Sequence, residues 1–235
     1  MFKAVTVARE YGSGGGAIAR AAAEQLRWNL LDRSLIKAVA RSAQVDTGTA
    51  ARYDEHVESW WHRFNQGGLR SAAIMAGIAP ADAQFFDAET EAMFAGEVIL
   101  KAAARGGCVI VGRGAQCVLQ DREDVLHVLI YGPWAERVER VRERAQASEN
   151  VEELIRLTDH ERASYVRAYY GCDWKDPHLY HMMISSQIGA EMAAWMIVNA
   201  VQRGGPAESR STTLSASRVA PELHPSLALA PRTGP

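Results

Sequence analysis

Apolar and polar positions along the chain fall into two alternating kinds of segment. Residues 2–8 (FKAVTVA) form a short apolar, partly β-branched run that stops at a glycine cluster, and so predict a buried strand rather than a helix. Over residues 16–26 the apolar positions Ile18, Ala19, Ala22 and Leu26 recur at helical spacing among helix-favouring alanines. Continuous apolar runs return at 108–111 and 126–131, each followed by a glycine (Gly112, Gly132), as in strands covered on both faces of a parallel sheet. Shorter strands are expected at 28–31 and 182–185. Helices are expected around Leu35, Ile36 and Val39, and from an N-cap at Asp87 through Met93, Val98, Ile99 and Ala102 to Gly106 and Gly107. Two more are expected, one starting at Pro133 and one over 188–201. On the Pro133 helix Val138 and Val141 point inward, and Arg137, Arg140 and Arg144 share another face, read as solvated.

Strands alternating with helices imply an α/β fold with a mostly parallel, doubly wound sheet, whose ligands sit at the carboxyl ends of the strands. The stretch about 45–86 has helix-like pieces and no strand signal, and is expected to form a helical insertion over the core. After Gly204 the composition turns to Pro, Ser, Thr, Gly and Ala without periodicity, so 204–235 reads as a disordered tail behind one main domain at 1–203.

Composition narrows the partners. A formal net charge of -2 and a pI near 6.4 offer no bulk attraction to nucleic acid or an anionic membrane, so small molecules are the expected partners. Cys108, Cys117 and Cys172 are odd in number and lack zinc or redox spacing, and read as reduced thiols. No apolar stretch approaches the length of a membrane span, and the first residues carry no signal-peptide pattern, so the expected location is the cytoplasm.

The chemistry concentrates at residues 9–17 (REYGSGGGA), between the first strand and the first helix. Glycines there let backbone N–H groups approach an oxyanion at the positive end of the helix, so Gly12, Ser13, Gly14, Gly15, Gly16 and Arg9 are candidate phosphate-binding residues. A ligand-free connection is the plain alternative. A second reading is a dinucleotide site: Gly12, Gly14 and Ala17 fit G-x-G-x-x-A, with Asp32 at the distance of a ribose-binding acid. A third is a P-loop, G-x-x-x-x-G-K-[ST], in which Gly14 takes the second glycine, while Arg9, Gly15 and Gly16 stand at the first glycine, the lysine and the Ser/Thr.

The order of several segments adds to this. REYGSGG followed by a short helix and LLDRSLI (30–36), VIVGRGA (109–115), LHVLIYGPWAERVERV (126–141) and DHERASYVRAYYGCDWKDPHLYHMMISS (159–186) together resemble the cytidylate kinase-like family of P-loop nucleoside monophosphate kinases. The resemblance implies a P-loop NTPase-like sheet with a helical insertion and a lid at about 140–176. It implies transfer of the γ-phosphate of ATP to a nucleoside monophosphate, CMP or dCMP by default, with Mg²⁺ as cofactor. It places Arg113 and Asp32 at the acceptor and has Arg162, Arg167 and Arg113 act on the transferring group, with Arg137 or Arg140 as further candidates. Asp159 and Asp32 would orient arginines or, through water, Mg²⁺. The aromatic residues Tyr165, Tyr169, Tyr170 and Trp174 are expected to pack the lid. Against the pattern, Gly15 stands for the loop lysine, Gly16 for a basic residue, Gly114 for the aspartate after the turn arginine and His181 for an acidic residue; Arg9 or Arg20 would restore the lost charge. A nucleotide-binding or sensing protein without catalysis, and an NAD(P)-dependent oxidoreductase, stay open as alternatives.

Overall fold

The structure, a computed structural model, describes residues 1–32, 88–144 and 150–204. The helix expected around Leu35, the insertion at about 45–86, the cap at Asp87 and the tail beyond Gly204 lie outside the described residues. Among the described residues five strands form one sheet: β1 (Ala4–Arg9), β2 (Asn29–Leu31), β3 (Cys108–Val111), β4 (Val125–Tyr131) and β5 (Met182–Ser185). Their order is β2-β3-β1-β4-β5 and every pairing is parallel.

The continuous apolar runs are explained by helices on both faces. In β1, Val5 and Val7 face α1 (Gly15–Leu26) and α6 (Ala190–Arg203), packing with Ile18, Ala22, Ala193 and Ile197. Ala4 and its neighbours Cys108, Ile110 and Val125 face the other way, against Val98, Ile99 and Ala102 of α2 (Ala88–Arg105). A strand with helices on both sides has no polar face, so the two-residue alternation disappears from its sequence. Past β3 a single turn, α3 (Ala115–Val118), follows Gly114; past β4 comes α4 (Trp134–Arg142). The longest described helix, α5 (Val151–Tyr170), starts at Asn150, whose side chain accepts from the Glu153 N–H, and stops at Gly171 in the left-handed region. It occupies much of the stretch read as a lid. No described helix is long and apolar enough to cross a membrane.

One buried polar pair sits inside the sheet. Thr6 Oγ1 lies 2.7 Å from His127 Nδ1, and the His127 N–H donates to His181 Nδ1 at 3.0 Å. Burial, with the neighbouring His181 in second place, pushes the His127 pKa down to about 4, so its ring is neutral in the fold. Because the folded value is depressed, this contribution to stability is full above the unfolded value of about 6.5 and is lost as pH falls from there towards 4. The expected loss is about 3 kcal/mol at most. Thermal unfolding followed between pH 7 and 4 checks it: a His127→Leu protein should show a shallower fall in that window than the native chain.

Candidate active site

The turn after β1 is built so that its backbone, not its side chains, faces outward. Gly12 and Gly14 have φ of +81° and +79°, which L side chains rarely adopt. A Cβ at Gly12 would come within 2.8 Å of the Arg137 carbonyl, and one at Gly15 within 2.6 Å of Arg9 Cβ. Gly15 is therefore bare because the stem of Arg9 occupies the space a lysine side chain would need to enter. Gly16, by contrast, has nothing within 4 Å of an added Cβ and opens outward. Helix α1 has no side-chain cap and no acidic residue in its first turn. The N–H groups of Gly14 and Gly16 make no hydrogen bond among the described residues. That leaves an uncapped, positive helix end able to receive an anion.

A buried ionic network holds this turn from behind. Arg137 of α4 is 7% exposed, and its guanidinium donates to the Tyr11 carbonyl at 2.7 Å, pairs with Glu10 at 3.3 Å, and pairs closely with Asp159 of α5. Asp159 also accepts from the Tyr11 N–H at 2.8 Å and from Arg162 at 3.3 Å. Glu10 accepts from the Gly132 N–H at 3.1 Å, and Arg140 donates to the Gly12 carbonyl at 2.5 Å. The expectation of a solvated arginine face on this helix is corrected for Arg137. Its carboxylate partners come from the turn after β1 and from α5, which helical periodicity within α4 cannot register. Asp159 orients arginines, as one of its two expected roles had it.

At the end of β1 lies a cleft of about 250 Å³, lined by Arg9 and Ala8 of β1, the Gly112–Arg113–Gly114 turn after β3, and one face of α5. Three guanidinium groups reach it, from Arg9, Arg113 and Arg162, against one carboxylate, Glu161. Arg9 lies across Gly112, where a Cβ would overlap its guanidinium. Gly112, Arg113 and Gly114 all have positive φ, of +79°, +55° and +68°. For Arg113 this is an uncommon conformation, of the kind that concentrates at ligand sites. Its guanidinium stacks 5.1 Å from the centre of the Tyr165 ring. Arg162 donates to the Arg9 carbonyl at 2.8 Å, joining α5 to the end of β1. The aromatic cluster packs as expected, Tyr165 against Tyr169 at 4.9 Å and Tyr170 at 6.0 Å, while Tyr165 and Trp174 also form a wall of the cleft.

The structure thus brings Arg9, Arg113 and Arg162 together in one cleft at the carboxyl edge of the sheet; Gly12 to Gly16 do not line it, and Gly15 lies against the stem of Arg9. It does not bring the others there. Arg167 is exposed in the last turn of α5, and Arg20 is exposed on α1. Asp32 follows β2, which β3 separates from β1. That separation corrects the dinucleotide reading: its ribose-binding acid follows a strand adjacent to the first, whereas here a whole strand intervenes. Residues missed by the sequence reading are Glu10 and Gln116. The one signal for Gln116 was a lone polar side chain between buried Ala115 and Cys117.

The donors at the turn do not fit a Mg²⁺ held by protein side chains. The Ser13 hydroxyl is buried and donates to the Glu10 carbonyl at 2.9 Å, Asp159 and Glu10 are committed to arginines, and Gly16 offers no side chain. Among the described residues no group of three or more His, Cys, Asp or Glu is arranged to hold a metal.

Among solved structures, the chain is similar to an uncharacterized protein from Eubacterium ventriosum, with 23% identity over 86% of this chain and 99% of that one and a TM-score of 0.61. It also matches a shikimate kinase from Acinetobacter baumannii, with 16% identity over 86% of this chain and 94% of that one and a TM-score of 0.44. No curated protein matches it. The profile of the cytidylate kinase-like family matches residues 4–188, spanning all five described strands of the parallel sheet, and the chain belongs to that family.

Proposed function

We propose that the chain is a nucleoside monophosphate kinase that transfers the γ-phosphate of ATP to CMP or dCMP, and that arginine side chains supply the charge a P-loop lysine gives elsewhere. The observation that supports this most is the meeting of Arg9, Arg113 and Arg162 in one cleft beside an uncapped helix end. Phosphoryl transfer asks little covalent chemistry of a protein; it asks for positioned cations and N–H groups around the oxygens. An oxygen of the acceptor phosphate attacks the γ-phosphorus, the bond to the β-phosphate oxygen breaks, and ADP leaves. In this reading the N–H groups of Gly14 and Gly16 face the donor phosphates, Arg113 holds the acceptor phosphate, and Arg162 spans the group in flight. Arg9 lies across the end of β3 and sets positive charge between the two. Magnesium would enter and leave with the ATP phosphates, consistent with its habit of binding through few carboxylates and several waters.

A second reading, nucleotide binding without turnover, is favoured by one observation: Gly15 has no room for a lysine side chain, and Gly16 has no hydroxyl. One experiment separates the two. ADP production from ATP and Mg²⁺ is measured with CMP, dCMP, UMP, AMP and GMP, with Arg113→Ala as control. Turnover that depends on an acceptor and collapses in the control supports the kinase; nucleotide binding with no ADP from any acceptor moves the protein to the second reading.

A further inference from the structure

The charged residues that line the cleft are Arg9, Arg113, Arg162 and Glu161, and among its other lining residues is one buried neutral amide. Gln116, in the short helix α3, is 2% exposed and lines the cleft. No described residue makes a hydrogen bond to its amide, although an amide offers two donors and an acceptor. The amide is not among the fully buried polar atoms that lack a partner, so its tip keeps contact with the cleft, where a bound ligand can take up the donors and acceptor that no described residue uses. The surrounding surface fits a flat ring: Tyr165, Val166 and Trp174 form the wall, and Trp174 is fixed by the Tyr180 hydroxyl, which donates to its carbonyl at 2.5 Å. Gly114 is bare because the Tyr170 ring fills the place its Cβ would take, so that position offers no side chain to a ligand and Gln116 is the next residue to line the cleft.

We propose that Gln116 reads the base of the acceptor nucleotide and that, being an amide, it accepts both cytosine and uracil. This rests on the kinase reading above and deepens it. Cytosine presents an amino donor beside a ring-nitrogen acceptor; uracil presents the reverse, a carbonyl acceptor beside a ring N–H. An amide meets either by rotating half a turn about its last bond, whereas a carboxylate can only accept. The specificity-determining residue therefore makes the site selective for a pyrimidine edge without a strong choice between CMP and UMP.

The test is calorimetric titration of the full chain with CMP, UMP and ribose 5-phosphate, the last carrying the phosphate and sugar but no base. Native protein should bind CMP and UMP within about tenfold of each other. Gln116→Leu should weaken both by roughly ten- to a hundredfold, the cost of leaving base groups unpaired, and leave ribose 5-phosphate unchanged. Gln116→Glu, which keeps size and is the arbiter if the leucine variant does not fold, should weaken CMP and UMP alike, at least tenfold, because a carboxylate only accepts and meets one donor and one acceptor on either base. The proposal is overturned if Gln116→Leu leaves both nucleotides unaffected, if it weakens ribose 5-phosphate equally, or if Gln116→Glu binds CMP and UMP as tightly as the native protein. A native protein that binds none of the three overturns the kinase reading itself.

Discussion

Arg162→Ala is expected to lower kcat by about a thousandfold, with a much smaller change in the KM of either nucleotide. The guanidinium sits where α5 meets the end of β1, donating to the Arg9 carbonyl at 2.8 Å and stacked 5.5 Å from the centre of the Tyr11 ring. Held there, it bears on charge that spreads over the γ-phosphoryl oxygens only in the transition state, and arginines in that role contribute about 10³–10⁵ in rate. Loss of an interaction made only in the transition state lowers kcat and kcat/KM together. Arg162→Lys should recover only part, since an ammonium is a point charge and cannot span two oxygens as a planar fork does. The fold should largely survive, because Asp159 keeps its pair with Arg137. Steady-state kinetics beside a thermal melt decide it: unchanged kcat in a folded Arg162→Ala protein removes the residue from the mechanism.

Arg137→Ala is expected to be the most destabilising single change at the site, by about 3–5 kcal/mol. Its side chain is 7% exposed and pairs with Glu10 and Asp159, themselves 17% and 15% exposed. Removing the cation leaves two carboxylates facing each other in a poorly hydrated place, which costs far more than losing a surface pair. For a domain of this size the melting temperature should fall by about 10 °C. Turnover should fall as well, because the Tyr11 carbonyl loses its anchor at 2.7 Å and the glycine turn with it. A double-mutant cycle with Asp159→Asn checks the assignment: the two losses should be strongly non-additive, since they break one network. Additive losses would mean the two residues act separately.

These two arginines also show what a sequence can and cannot disclose. The strand, glycine turn and helix of residues 4–26 were legible because each is local: an apolar run, a glycine cluster, then a 3.6-residue period. Arg113 was legible because a charge at the end of a buried strand has few structural reasons to be there. Arg162 was pointed to by the resemblance of its whole segment, not by its spacing. Arg137 was misread because burial of a helix position depends on what other elements bring to it, and Glu10 and Asp159 are distant in the chain. Asp32 fits a dinucleotide fingerprint by count, and only the insertion of β3 between β1 and β2 separates it from the turn. Gln116 carried almost no signal, because a glutamine in a short apolar segment looks the same whether it faces solvent or a cleft. The loop glycines carried more than their flexibility: Gly15 is bare because Arg9 packs where its side chain would start. That contact between the end of β1 and the start of α1 is a packing relation that no motif records.

The central claim, that this arginine-lined cleft moves a phosphoryl group between nucleotides, is tested most directly by following labelled phosphate. ATP carrying label in its γ-phosphate is incubated with the protein, Mg²⁺ and CMP, and the products are separated. The account predicts label in CDP, in step with the ADP formed and lost in the Arg113→Ala protein. Label found only as free phosphate, or left entirely in ATP while nucleotide binds, would contradict it.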